Sequence, residues 1–529
     1  ILRFTGGMEL IYKPRDIATE ATFFALLEWF NIRGAPCTHK VLKVVNRGTH
    51  GWVERAKHAP CDGHAAAKRY YYRAGGMLSA IYAVAGTDCH CENLISAGEF
   101  PVLVDMETLF HPRAQRGSPD NCQSVDAHAE SLMDDSVFGT GLLPVWETGR
   151  NGKSFDISGF GAVEDQLTGV PVQTWEHINS DRMVLAFREG VNCSQENCPF
   201  LEDGTRIGPA AFVEDMAAGF ADTYQFLLAN RDDLLREAGP LSAFTGCRLR
   251  FILRPTSIYS TLLEKLRHPE YLRDGADRGL EIEVLARAAV TKPQAQEVGI
   301  PWSVYQSEAR AIERGDVPHF DAWPLSKRLS AEGSPITEDF FEETPLSRVR
   351  RRLASLSDDD LTAQVALLRG AIHARFDSSS HGTSGGATQE TQCGPSLGHA
   401  DFISEAVGIG EAIQSRAIQG SDGCINWISI FDDPETDRLR LEPLGYTFYN
   451  GRCGVATFLA TLSEISGRSD FRDSAVAAVS PLLGATAFLK HRLHRLGIGG
   501  GAGTGGIVYG LARVAEALND QEVLDSSVR

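Results

Sequence analysis

Apolar and polar positions divide the chain into short alternating strands, helical stripes and long polar stretches. Ile1–Arg15, ILRFTGGMELIYKPR, reads as two strands joined at Gly6–Gly7, with Met8, Leu10 and Tyr12 alternating along the second until Pro14 ends it. Thr19–Phe30 carries Phe23, Phe24, Leu26, Leu27 and Phe30 at helical spacing. Lys40–Val45 and Gly51–Val53 are strand-like. A helix over Ala65–Val84 presents Tyr71, Leu78, Ile81 and Tyr82 as buried positions. After Gly86 a polar loop, Thr87–Ile95, leads through a turn at Gly98 to an apolar strand predicted over Phe100–Phe110.

The next stretch, His111–Gly169, is rich in glycine, proline and polar residues, with apolar clusters at Phe138–Trp146 and Phe155–Phe160. Ala211–Leu228 is an amphipathic helix. Cys247–Arg254 is a basic, alternating strand, with a helix expected soon after Pro255. Pro293–Phe340 is dominated by proline and charge, anchored by Trp302 and Trp323, and helical patterning resumes over Thr337–Arg369. Ser378–Ser396, SSSHGTSGGATQETQCGPS, is the best linker candidate. Beyond it, Gly454 and Gly506 each open an apolar helix. The spacing gives a repeat of 52 residues in which Val455 matches Ile507, Leu459 matches Leu511 and Leu462 matches Val514. Glycine-led helices at a fixed period imply an array of helical hairpins or a toroid.

At 529 residues the chain is too long for one core and should form at least two domains. Its formal net charge of −18 argues against a broad nucleic-acid-binding surface and suits a cationic peptide partner. No apolar run is long enough to cross a bilayer, so a cytoplasmic location without a transmembrane segment is expected. The eleven cysteines are scattered, without the spacing of a stapled domain. Cys89 and Cys91 flank His90, but more tightly than in a zinc knuckle and with no second pair nearby, so they read as reduced thiols.

The candidate chemistry lies in Asp88, His90 and Asn93, followed by Asp105 and Glu107 at the predicted strand. An aspartate in such a loop can deprotonate a hydroxyl, while an asparagine and a strand-end aspartate can hold magnesium beside phosphate oxygens. Lys13 would add a point charge; Arg15 either assists with the phosphates or forms a surface ion pair. The same string also reads as an exposed loop with local hydrogen bonds, and Glu54 either fixes Lys13 or is an ordinary surface glutamate. Arg250 and Arg254, four apart on one extended strand, would point to the same side as a two-pronged phosphate clamp next to Thr256; solvated arginines are the alternative. No P-loop, dinucleotide fingerprint or nucleophile elbow is present.

Taken in order, YKPR (Tyr12–Arg15), GWVE (Gly51–Glu54), DCHCENLI (Asp88–Ile95), PVLVDMETLF (Pro101–Phe110), TGLLP (Thr140–Pro144), DISGFG (Asp156–Gly161), RFILRPTSIY (Arg250–Tyr259), HPEYLRDGADR (His268–Arg278) and YNGRCGVATFLATL (Tyr449–Leu462) make the chain resemble the bifunctional class II lanthipeptide synthetases. The resemblance implies an α+β, lipid-kinase-like dehydratase domain over residues 1–377, incomplete at its N-terminus. A linker over 378–400 and the start of an all-α (α/α) toroid cyclase over 401–529 would follow. It implies phosphorylation of serine or threonine in a leader-containing precursor peptide by ATP with Mg2+, then elimination of the phosphate. Lys13, Arg15, Asn93, Asp105 and Glu107 would bind the nucleotide, with Asn93 and Asp105 on magnesium. Asp88, His90 and Asn93 would form the catalytic loop, and Arg250 and Thr256 would serve elimination.

In that family the cyclase holds Zn2+ through WC-x-G and CHG motifs. This sequence contains neither, so Cys424 and Cys453 are expected to be structural and zinc is expected only in a full-length parent. The chain opens at Ile1 without a methionine and stops soon after its repeat begins, so both ends are expected to be those of a fragment. The resemblance leaves room for association with a membrane exporter. Two further readings stand beside it: a kinase that stops at the phosphorylated product, and a non-catalytic peptide-binding scaffold.

Overall fold

The computed structural model describes residues 1–115, 124–148, 152–163, 166–192, 196–290, 299–376, 398–433, 436, 438–483, 493 and 496–528. The protein mixes α and β elements and divides into two compact units, residues 1–118 with 135–376, and residues 119–134 with 377–529. Most of the 378–400 linker candidate lies outside the described residues.

The first unit opens with β1 (Leu2–Arg3), β2 (Glu9–Lys13), α1 (Ala18–Ile32), β3 (Val44–Asn46) and β4 (Gly51–Glu54). The strands form an antiparallel sheet in the order β1-β2-β4-β3. Gly7, at φ 81°, supplies the left-handed residue that turns β1 into β2. The stripe of α1 is buried through Phe23, Phe24, Leu27 and Phe30, as its spacing predicts.

Helix α2 (Gly63–Ala83) packs along the helix Val213–Ala229. Two glycines set how close they come. A Cβ on Gly75 would stand 1.9 Å from the Met216 carbonyl oxygen, and one on Gly219 would stand 1.8 Å from that of Tyr72. Either added methyl would force the helices apart, a strain of about 1–3 kcal/mol or more.

Past α2, the hairpin β5 (Leu94–Ala97) and β6 (Phe100–Leu103) turns at Gly98, φ 64°. The strand predicted over Phe100–Phe110 therefore ends at Leu103. Asp105 takes φ 61° and the Glu107 amide donates to its carbonyl at 2.9 Å, which folds the apolar sequence into a turn that alternation cannot reveal.

A second antiparallel sheet is a meander of Leu249–Phe251, Phe320–Ala322, Leu329–Ala331 and Ser334–Thr337. Its later strands, and the helix Trp302–Glu313, lie in the stretch that reads as proline and charge. Phe320, Asp321 and Ala322 are all buried, so this three-residue strand has no polar face to alternate with. The hairpin Gln166–Glu176 with Val184–Asn192 also escapes the pattern, because apolar residues such as Val172, Trp175, Val184 and Phe187 stay exposed on it.

In the second unit the helices Arg452–Ser466 and Thr504–Leu518 begin 52 residues apart and have the same length, 15 residues. Leu459, Leu511, Leu462 and Val514 are buried in one core, in line with the repeat. Each helix follows a glycine, Gly451 or Gly503, and is succeeded by another, Ser469–Leu483 or Gln521–Val528. Arg452 is wholly buried. Its Nη2 donates to Asp126 Oδ1 at 2.7 Å and its guanidinium lies 4.0 Å from the Tyr446 ring centroid. Cys424 and Cys453 are both buried.

Candidate active site

Lys13 ends β2 opposite Gly51 of β4. Its Nζ donates to Glu20 Oε2 at 2.8 Å and to Asp105 Oδ1 at 2.9 Å. Glu20 sits in the first turn of α1, 3% exposed, and its position continues the apolar stripe through Phe23, Phe24 and Leu27. An acid in line with such a stripe must be paired when it is buried, and that signal was available in the sequence. Glu54 is not the partner of Lys13. It lies opposite Leu10 in the β2–β4 register, and its Oε2 accepts from the Lys43 amide at 3.2 Å.

Asp105 and Glu107 face two arginines. Arg15 bridges them, one terminal nitrogen on Asp105 Oδ1 and the other on Glu107 Oε2, and Arg250 pairs with Glu107 Oε1. The Arg250 amide also donates to the Glu107 carbonyl at 2.9 Å. One contact chain thus runs Glu20, Lys13, Asp105, Arg15, Glu107, Arg250. Its acids and bases alternate, so each charge has an opposite neighbour.

The loop after α2 is held by two segments that the sequence marks as motifs. The Cys89 amide donates to the Thr140 carbonyl at 3.0 Å and the Cys91 amide to that of Ile157 at 2.8 Å. Gly159 is small for a visible reason, since a Cβ there would stand 2.9 Å from the Cys89 carbonyl oxygen. In this clamp Asp88 takes φ 61°, an uncommon conformation for a residue with a side chain. Asn93 Nδ2 donates to the Asp88 carbonyl at 2.9 Å, and His90 Nε2 lies 3.9 Å from Asp88 Oδ1. The Asn93 carbonyl accepts from the Val104 amide at 2.9 Å, which ties the loop to the residue before Asp105. Cys89 and Cys91 are both buried.

Burial holds the Asp88 carboxyl above the usual aspartate range; His90 and Arg250 oppose that shift and Glu107 adds to it. An aspartate raised in this way is a better proton acceptor than a free one while it remains ionised.

Arg254 does not join Arg250. The strand ends at Phe251, so the alternation expected to put both on one side does not reach Arg254. Its Nε donates to Glu308 Oε1 at 2.7 Å, and Tyr259 donates to the same oxygen at 2.6 Å. Thr256 is exposed at the first position of the helix Thr256–Lys265 and makes no hydrogen bond to the charged chain. Beside that chain lies a cavity of about 40 Å³ whose lining includes Arg15, Glu107, Arg250, His319 and Asp321. Asp321, directly opposite Arg250 across the sheet, is 1% exposed, and no motif or alternation in the sequence marks it.

Asn93 Oδ1 accepts no hydrogen bond, and Asp105 Oδ2 stays free while Oδ1 carries both cations. Hard oxygens of this kind suit magnesium, which is commonly held by one or two carboxylates together with substrate phosphates. Among the described residues no three His, Cys, Asp or Glu side chains converge as a metal cage. No helix among them is long and apolar enough to cross a membrane.

A family profile described as a domain of unknown function, DUF4135, matches residues 1–322. The lacticin 481/lactococcin biosynthesis protein LcnDR2 of Lactococcus lactis subsp. lactis is 26% identical over 478 residues, covering 87% of this chain and 48% of that protein. The chain thus spans about half the length of that relative.

Proposed function

The chain belongs to the DUF4135 family, and from that premise we propose that it dehydrates serine and threonine residues of a ribosomally made, leader-containing precursor peptide, first phosphorylating the hydroxyl with ATP and then eliminating the phosphate. The likeness to a lacticin 481/lactococcin biosynthesis protein supports a peptide-modifying role. The observation that carries the chemistry is the single contact chain joining Lys13, Asp105, Glu107 and Arg250. Within this reading the first unit is the kinase-like dehydratase, and the glycine-led helices of the second unit open a toroidal cyclase.

In the first half-reaction Asp88 accepts the proton of the substrate hydroxyl as its oxygen attacks the γ-phosphorus of ATP. The bond to the β-phosphate oxygen breaks and ADP leaves. Lys13, fixed by Glu20, meets the phosphates with a positive charge. His90 orients the Asp88 carboxylate, and Arg15 and Glu107 hold Asp105 in place. Asn93 and Asp105 would bind the Mg2+ that comes with ATP and neutralises charge on its phosphate oxygens.

In the second half-reaction the α proton leaves, its electron pair forms the Cα–Cβ double bond, and the Cβ–O bond breaks. Phosphate is a far better leaving group than hydroxide. Arg250 receives its charge by exchanging Glu107 for the departing phosphate. Thr256 assists by positioning the phosphorylated residue.

The test is the intact mass of the precursor peptide encoded beside the gene after incubation with the protein, ATP and Mg2+. Successive losses of water are expected; an unchanged mass would overturn the reading. Retained phosphate would favour a kinase without elimination. The exposed position of Thr256, away from any hydrogen bond to the charged chain, is the observation on that side.

A further inference from the structure

The elimination step needs a base for the α proton, and neither Arg250 nor Thr256 supplies one. A threonine hydroxyl such as that of Thr256 is far too weak an acceptor near neutral pH. Asp88 ends the first half-reaction protonated, because it has just taken the hydroxyl proton. A second acceptor close to Arg250 would let elimination follow without that proton first being lost.

The sheet that carries Arg250 provides one. Arg250 pairs directly with Asp321, and His319, just before that strand, lines the same cavity as both. Arg248, just before the Arg250 strand, reaches Asp321 from the same side. All four line the cavity next to Glu107. Arg250 and His319 thus stand on one cavity wall without touching each other. That arrangement suits a phosphoserine whose phosphate meets the arginine while its α carbon lies nearer the imidazole.

Asp321 gives the imidazole its setting. His319 Nε2 lies 3.2 Å from Asp321 Oδ1, and Arg248 Nε lies 3.5 Å from the same oxygen. Neither carboxylate oxygen of Asp321 has an aligned hydrogen-bond donor, although the side chain is only 2% exposed. A buried, unsatisfied carboxylate is costly to keep. It becomes favourable when its neighbour turns cationic. His319 is 41% exposed at its side chain, and its Nδ1 makes no hydrogen bond, so one ring nitrogen faces the acid while the other is open to substrate. This is the arrangement of a general base with an orienting carboxylate.

We propose that His319 is the catalytic base of phosphate elimination and Asp321 its positioning residue. The inference rests on the phosphorylation–elimination reading. His319 Nδ1 takes the α proton, the released electron pair forms the Cα–Cβ double bond, and phosphate departs with the Cβ–O bonding pair to Arg250. The imidazolium then formed is paired with Asp321.

The experiment compares wild-type protein with His319→Asn and Asp321→Asn on two probes. One is the unmodified precursor peptide with ATP and Mg2+; the other is a synthetic phosphoserine form of it. Wild type should convert both. His319→Asn should still phosphorylate the first, accumulate phosphopeptide, and eliminate from the second about 100-fold more slowly. Asp321→Asn should slow elimination less, lowering kcat on the phosphoserine probe with KM unchanged and phosphorylation of the first probe unaffected. Glu20, Glu107, Arg15, Arg248 and Arg250 also face this cavity and are unaltered in that variant. Elimination by His319→Asn at the wild-type rate would overturn the assignment, as would equal loss of both half-reactions, which marks a structural role. Failure of wild type on both probes would instead overturn the functional reading on which the assignment stands.

Discussion

Lys13 Nζ and Asp105 Oδ1 meet at 2.9 Å although 92 residues separate them in the chain. The lysine is held from its other side by a glutamate that is almost fully buried, so its charge is fixed in place by the protein alone.

Lys13→Ala should therefore reduce phosphorylation of the precursor peptide by about 10²–10³-fold, the range seen when a preorganised charge-stabilising group is removed. It should also lower the melting temperature, because Glu20 Oε1 already has no partner and Oε2 would lose its own. Mass spectrometry of the peptide and a thermal melt test the two effects separately.

Asp88→Asn should abolish hydroxyl activation and leave a residual rate with little dependence on pH. In the wild type the folded carboxyl titrates above the ordinary value of 3.8. Phosphorylation should accordingly fall as the pH drops through a pKa higher than that of a free aspartate. A pH–rate profile of both proteins checks this; an acid limb at or below the free value would refute it.

Arg250→Ala should separate the half-reactions, with phosphopeptide accumulating and elimination slowed by about 10²-fold. Arg250→Lys keeps the charge but loses the planar fork, so it should recover only part of the rate. Water loss from a synthetic phosphopeptide is the direct readout.

Asp135 ties together three arginines, accepting from Arg348 Nη2 at 2.5 Å and lying 3.0 Å from Arg352 Nη2 and 3.1 Å from Arg113 Nη1. Burial raises its pKa, and the arginines more than offset that, leaving it below the usual aspartate value. A depressed folded pKa gives stability that is present above 3.8 and lost as the pH falls through the folded value. Asp135→Asn should destabilise the protein at pH 7 by about 3–5 kcal/mol, since it strands buried guanidinium groups. Denaturant unfolding at neutral pH measures it.

His39 is 4% exposed, and burial lowers its pKa from 6.5 to about 4, with Arg73 adding to the shift. Its folded pKa lies below its unfolded one, so the neutral ring favours folding above pH 6.5 and that contribution is lost as the pH falls toward 4. The difference corresponds to about 3 kcal/mol. His39→Leu should flatten the stability–pH curve between pH 6.5 and 4, as followed by unfolding at several pH values.

The sequence makes some of this site legible and hides the rest for physical reasons. Asp88, Asn93 and Asp105 stand out because their segments are short and their chemistry is local. Lys13 is visible as the polar end of an alternating strand. Glu20 was readable as an acid in an apolar stripe, but nothing local links it to Lys13. Asp321 gives no pattern, because its strand has three residues and all are buried. Arg254 misleads for the opposite reason, since alternation applies only while the chain stays extended. In the fold, helical stripes and the paired glycine-led helices are recovered well, whereas the short meander is not. Its strands depend on neighbours distant in sequence rather than on any property of their own.

The Arg250–Glu107 backbone hydrogen bond spans 143 residues, and the bond from Thr19 Oγ1 to the Arg248 carbonyl spans 229. Such closures impose an order on synthesis. At a translation rate of about 5–20 residues per second, Glu107 emerges about 7–29 seconds before the arginine that will neutralise it. Through that interval the nascent chain carries an acidic cluster without one of its cations. The strand with Asp321 arrives later still. The site is therefore among the last parts of the unit to assemble, and a nascent chain halted before residue 250 would have the Asp88–Asn93 loop in its sequence but not the arginine that completes the charged chain.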